Sequence, residues 1–277
     1  MDSEDLIQYV DFVASSGVVL SSEQKAALQT SLVIMKNHYK FHRVYLWGKI
    51  LGIKDDYFIA QGVSRDEMAE RKTLYSLDCV QWNLLPPATK AMRDHTSVVK
   101  GRFTGDPSYE YEHTEIRKIG EGEDATEEEH TIQVKEEDRL TSVIATIDEE
   151  VAIAPRGAFI KTPHGEVIRN RSFEGLSVSE AGKLNSYFHL REPLKLKEKT
   201  LLEKADLDPS IDFLDSIEED IPKGGSWSVQ FERGSGLVAL RSLVWLGYTF
   251  FHVPGTLKFG AMYIGNGEKN NDLPFML

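Results

Sequence analysis

The side chains that could carry chemistry are few, and their spacing decides most cases. Glu110, Glu112, His113 and Glu115 are close enough in sequence to suggest a cation site. On a strand, however, Glu110 and Glu112 point one way and His113 the other, which reads as a solvated acidic face. The chain has one cysteine, Cys79, inside an apolar alternating run. That setting suits an inert core thiol better than a nucleophile. A lone cysteine forms no intrachain disulfide and no thiolate zinc cluster. Gly234-Ser235-Gly236 lacks the extra residue on each side of the serine that a nucleophile elbow requires. A Walker loop ends in Gly-Lys-Ser or Gly-Lys-Thr. Gly182-Lys183 is followed by Leu184, and Gly265-Asn266-Gly267-Glu268 opens no helix. The run near Glu121 lacks the alternating ligands and central glycine of a calcium loop. No catalytic, cofactor-binding or metal residue is therefore assigned.

Composition narrows the partners. The 277 residues carry 44 acidic and 32 Lys or Arg side chains, a net charge of -12. Such a chain does not suit a phosphate backbone or an anionic lipid surface, so no nucleic acid or membrane partner is expected. The acidic N-terminus and the single cysteine point to a reducing, intracellular compartment. The longest apolar stretch, Leu237 to Val253, is interrupted by Arg241 and His252. It is shorter than the roughly 20 residues of a membrane helix and reads as buried strands.

The elements follow from periodicity. Leu6, Tyr9, Val10 and Val13 share one helix face. Ser21 and Gln24 start a second helix with a capping box, and Leu28, Leu32, Met35 and Tyr39 form its stripe. Residues 1–41 thus read as a helical hairpin. His42–Ile53 and Tyr57–Ala60 read as paired strands. Tyr75, Leu77 and Cys79 alternate, then the pattern slips to Val80, Trp82 and Leu84, as at a bulge, before Pro86-Pro87. Residues 120–138, with Glu127-Glu128-Glu129, read as an acidic solvated loop or a partner-binding arm. A helix over 135–149 carries Leu140, Val143, Ile144 and Ile147. Val151–Ile160, a turn at Pro163-His164-Gly165, and Val167-Ile168 suggest strands. Ser177 and Glu180 cap a helix with Ala181, Leu184 and Phe188 inward. Lys195–Lys223 is a charged surface excursion. Trp227, Val229 and Phe231 alternate with polar neighbours, and further strands follow to Ile264. Without regular βα alternation the class is α+β. It comprises an N-terminal helical hairpin on a mainly antiparallel sheet with a few further helices, in one unit spanning 1–277.

Two features suit binding. Tyr109-Glu110-Tyr111-Glu112 places two tyrosines on one strand face, where they either anchor an interface or pack in the core. The tail Phe275-Met276-Leu277 is too apolar to stay free, so it docks on its own body or on a partner.

Several blocks carry more than spacing can. Arg71 to Leu77, Val98 to Phe103, Gly105 to His113, Pro155 to Ala158, Ser172 to Ser177, Lys199 to Ser210 and Gly267 to Leu277 closely resemble the radial spoke head protein 9 family. The resemblance covers nearly the whole chain. It implies a non-catalytic structural subunit of the axonemal radial spoke head, which helps pass signals from the central pair to dynein. It implies radial spoke head 4 and 6 type subunits, MORN-repeat head proteins and the spoke scaffold protein as partners, with transient central-pair contact and two copies per spoke. The readings from other classes are a small-ligand or cation sensor and an unrecognised hydrolase.

Overall fold

The first helix forms where its stripe predicts. Leu6, Tyr9, Val10 and Val13 are all buried along α1 (Leu6–Val13). The second, α2 (Ser22–Tyr39), starts at the expected box. The Ser21 hydroxyl accepts from the Gln24 amide, and the Gln24 side chain accepts from the Ser21 amide at 3.0 Å. Lys40, left-handed at φ 55°, ends it. The computed structural model describes residues 1–13, 20–119, 126–234 and 236–276.

Two antiparallel meanders make the central sheet. One comprises β1 (Arg43–Ile50), β2 (Tyr57–Val63), β3 (Lys72–Ser76) and the two-residue β4 (Asn83–Leu84). Between the meanders in sequence lie α3 (Lys90–Thr96), β5 (Glu110–Ile119), β6 (Thr126–Lys135), α4 (Glu136–Val151), β7 (Ile153–Pro155), β8 (Phe159–Lys161), β9 (Val167–Arg169) and β10 (Tyr187–His189). The second meander comprises β11 (Trp227–Glu232), β12 (Leu237–Ser242), β13 (Tyr248–His252) and β14 (Phe259–Gly265). The strand order is β11-β12-β13-β14-β1-β2-β3-β4. Only the β14–β1 junction is parallel, pairing Gly48 to Ile50 with Tyr263 to Gly265. Gly48 permits this approach: a Cβ there would lie 1.9 Å from the Tyr263 carbonyl oxygen, at φ +143°.

Strand alternation sends side chains to two faces. Leu46, Phe58, Ala60, Phe251 and Met262 meet α1 and α2 on one side. Ile50, Tyr57, Ile59, Phe250 and Tyr263 meet Leu140, Ile144, Ile147 and Val151 of α4 on the other. The register of β1 shifts between Leu46 and Gly48, and the extra residue, Trp47, joins the α4 side. Each of these α4 side chains contributes about 1.5–3 kcal/mol by burial. The Met1 amine lies where β1 and β14 diverge, donating to the Leu46 carbonyl (2.8 Å) and the Ala261 carbonyl (3.0 Å). Burial there pulls its pKa down to about 5.

Three expectations need correction. The acidic stretch is not a loop over 126–138: Thr126–Lys135 is a strand paired residue by residue with Glu110–Ile119, and Glu136 to Asp138 open α4. Acidic residues suit the positive end of the helix dipole. The register also sets Arg117 across from Glu128 and Lys118 across from Glu127. Residues 120–125 lie outside the described residues. The slip after Cys79 is a turn, not a bulge. β3 stops at Ser76, the Asp78 carboxylate accepts from the Val80 and Gln81 amides, and Cys79 is left-handed at φ 64°. Finally, the helix capped by Ser177 and Glu180 lasts one turn, Val178–Ala181. Phe188 belongs to β10 instead, half-buried between Tyr187 and His189.

Candidate interaction surface

A buried carboxylate sits where the base of the β5–β6 hairpin meets the body. Glu136, the first residue of α4, is fully buried. Its oxygens accept from Tyr57 Oη (2.6 Å), the Thr104 amide (2.9 Å), Thr104 Oγ1 (2.6 Å), the Gly105 amide (2.8 Å) and Tyr111 Oη (2.6 Å). Burial pushes the Glu136 pKa up, but the hydrogen bonds from Thr104, Tyr111 and Tyr57 outweigh it and hold the acid below its ordinary value. The group therefore stays ionised, and it ties β2, the 104–105 segment and β5 to α4. Arg139, one turn on, donates to Tyr111 Oη at 3.0 Å and to the Gly101 carbonyl. Its guanidinium lies 4.2 Å from the Phe103 ring centre and 5.2 Å from that of Tyr111.

This geometry separates the two tyrosines singled out above. Tyr111 faces inward, half-buried, with its pKa raised to about 12 by burial first and by Glu136 second. Tyr109 is 44% exposed and packs edge-on against Tyr111, ring centres 4.9 Å apart. Glu110 and Glu112 are exposed beside it. At the other end of the chain Leu273 is buried, while Phe275 and Met276 stand 87% and 71% exposed. Leu277 lies outside the described residues. The tail thus docks through Leu273 and holds its next apolar side chains in water. Sequence reasoning missed Glu136 and Arg139. Three consecutive acids at a helix start signal the dipole, but nothing in that run marks the first as the buried one.

Polar groups that resemble catalytic parts are engaged structurally. Cys79 is buried, its thiol pushed up to about 12 by burial and the adjacent Asp78, and its carbonyl accepts from the Ser31 hydroxyl at 2.7 Å. His189 meets both oxygens of Asp220 at 2.9 and 3.0 Å, and Asp220 also accepts from Trp227 Nε1 at 2.8 Å. Among the described residues no hydroxyl or thiol reaches the His189 Nδ1. A cleft of about 580 Å³ runs between β3, α3 and α4, lined by Arg71, Arg93, Asp148, Glu149 and Arg191. Arg93 clamps Glu149 through two bonds of 2.6 and 2.7 Å. Asp148 accepts from Trp47 Nε1 at 2.7 Å, and burial raises its pKa against the pull of Arg71. Among the described residues no group of three or more His, Cys, Asp or Glu could hold a metal ion. No helix among them is long and apolar enough to cross a membrane.

The buried polar groups described above cross-link the elements of the fold, and Tyr109, Phe275 and Met276 stay exposed on its surface. Comparison with known proteins shows the family. The family model for radial spokehead-like protein matches residues 1–145. Radial spoke head protein 9 homologues from Bos taurus, Homo sapiens and Danio rerio are 62%, 61% and 58% identical, each alignment covering 100% of both chains. The chain belongs to the radial spokehead-like family, in its radial spoke head protein 9 branch.

Proposed function

We propose that this chain is a non-catalytic structural subunit of the radial spoke head in the axoneme of cilia and flagella. The observation that supports it most is the full-length match to radial spoke head protein 9 homologues. The geometry adds a physical reason. Glu136, Tyr111 and Arg139 hold the hairpin in a fixed position, while Tyr109, Phe275 and Met276 keep apolar area available for partners. In this reading the chain binds radial spoke head 4 and 6 type subunits, MORN-repeat head proteins and the spoke scaffold. Its negative charge keeps contact with the central pair transient, since like charges discourage sticking to acidic tubulin surfaces. By holding the head together it helps pass signals between the central pair and dynein. A pull-down from detergent-extracted motile axonemes, with the folded chain as bait and mass spectrometry as readout, tests this. Recovery of the head 4 and 6 type and MORN-repeat subunits is the expected result. Their absence with folded bait would overturn it.

A further inference from the structure

The central sheet has two edges, and they are built differently. The β4 edge is two residues long and runs into Pro86-Pro87, which cannot donate to a further strand. The β11 edge is six residues long, lies at the end of the strand order, and carries no proline. Its inward groups are set by the bond from the Leu243 amide to the Ser226 carbonyl at 2.9 Å. Alternation then turns the backbone N–H and C=O of Trp227, Val229 and Phe231 outward. Among the described residues, no backbone hydrogen bond outside the sheet ladders reaches those three.

The same six residues are complementary to themselves. Run antiparallel about a two-fold axis at Val229, the outward residues fall into register: Val229 faces Val229 of the second copy, and Trp227 faces Phe231. These are the hydrogen-bonded positions, so the pairing closes about six bonds. Trp227 is buried at the end of the edge, and Phe231 is 45% exposed on the same strand face. The pairing brings the exposed Phe231 ring of each copy to the Trp227 end of the other strand, so that apolar surface is covered twice. Ser228 lies opposite Gln230, and Glu232 opposite Ser226. In a chain of net charge -12 this strand sets no like charges against each other. Ile221, 84% exposed at the Trp227 end, is brought toward the Phe231 end of the other copy.

We infer that the β11 edge is a docking surface for a second copy of this chain, joining two central sheets into one through antiparallel β11–β11 pairing. The inference stands on the edge geometry and does not depend on membership of a spoke.

The test is sedimentation equilibrium of the purified full-length chain at micromolar concentration. Wild type is expected at twice the monomer mass. A variant with Ser228→Lys and Gln230→Lys, and another with Ser228→Glu and Gln230→Glu, each set like charges at both facing positions. Each should raise the dimer dissociation constant about tenfold or more. Mixing the two variants should restore the dimer. Circular dichroism checks that both fold, and both positions are exposed. A second variant fixes the register. Val229→Cys should link to itself under mild oxidation, because Cys79 is buried and silent, whereas Gln230→Cys should link poorly. A monomeric wild type, charged variants that remain dimeric, or equal linking at 229 and 230 would each overturn the assignment.

Discussion

Replacing Glu136 by Gln should loosen the fold at one defined place. The carboxylate accepts five hydrogen bonds in a site closed to solvent. A glutamine offers one carbonyl oxygen, which serves two donors at most, and turns an NH2 group toward the rest. Roughly three buried donors then lose their acceptor, at about 1–3 kcal/mol each, softened by local relaxation. A net loss of about 3–4 kcal/mol follows, which for a chain of this size lowers the melting temperature by about 10 °C. Urea titration at pH 7 measures it directly.

The pH dependence distinguishes this cause from simple damage. The folded pKa of Glu136 lies below the ordinary 4.5. Its stabilisation is thus fully present above about pH 5.5 and is lost as pH falls through the folded value. Glutamine does not titrate, so the gap between wild type and variant should close in acid. The raised pKa of Asp148 works in the opposite sense, but it is common to both proteins and cancels in the difference. Limited proteolysis should cut the β5–β6 hairpin of the variant first, because Tyr111 loses its anchor. A variant within 0.5 kcal/mol of wild type at pH 7, or a gap independent of pH, would refute the reasoning.

Other perturbations test other parts. Gly48→Ala places a methyl group against the Tyr263 carbonyl and should cost about 3 kcal/mol or more, seen as insoluble expression or a large fall in melting temperature. His252 is buried, held neutral with its pKa pulled down to about 4; its Nε2 accepts from the Leu176 amide. The unfolded chain takes up a proton near pH 6.5 that the folded chain refuses, so about 3 kcal/mol should be lost between pH 6.5 and 4, with a shallower slope in His252→Asn. The double change Phe275→Ser and Met276→Ser removes mostly exposed surface, together with one long contact from Asn270 Nδ2 to the Met276 sulfur. It should leave stability within about 0.5 kcal/mol while reducing recovery of spoke-head subunits in the pull-down.

What the sequence revealed and what it hid divide along a physical line. Elements set by neighbours were legible: the α1 stripe, the capping boxes at Ser21 and Ser177, and the turn at Pro163-His164-Gly165 between β8 and β9. Each is decided within about seven residues. The parallel junction of β14 with β1 joins residues some two hundred positions apart, and no local pattern announces it. Alternation through Leu77 and Cys79 suggested a longer strand, but the Asp78 side chain offers the next two amides a turn instead. The acidic stretch misled because composition measures solvation, whereas the β5 ladder supplies β6 with backbone partners that composition cannot register. The binding residues were half legible. Tyr109 and Tyr111 stood out by type, but which one faces inward depends on a carboxylate twenty-five residues away from Tyr111.

That carboxylate also explains why the hairpin is fastened by polar contacts. The hydrophobic effect is non-directional, so by itself it does not single out one orientation of two surfaces. Five hydrogen bonds converging on one group, with Arg139 bracing Tyr111 from the side, fix an angle as well as a distance. The connection runs from β5 through Glu136 to Tyr57 on β2, and along α4, whose apolar side chains pack on the sheet. The hairpin base and the sheet thus share one ionised group, whose directional bonds set their relative placement. Those bonds offset the cost of burying a charge there, which a carboxylate without partners could not meet.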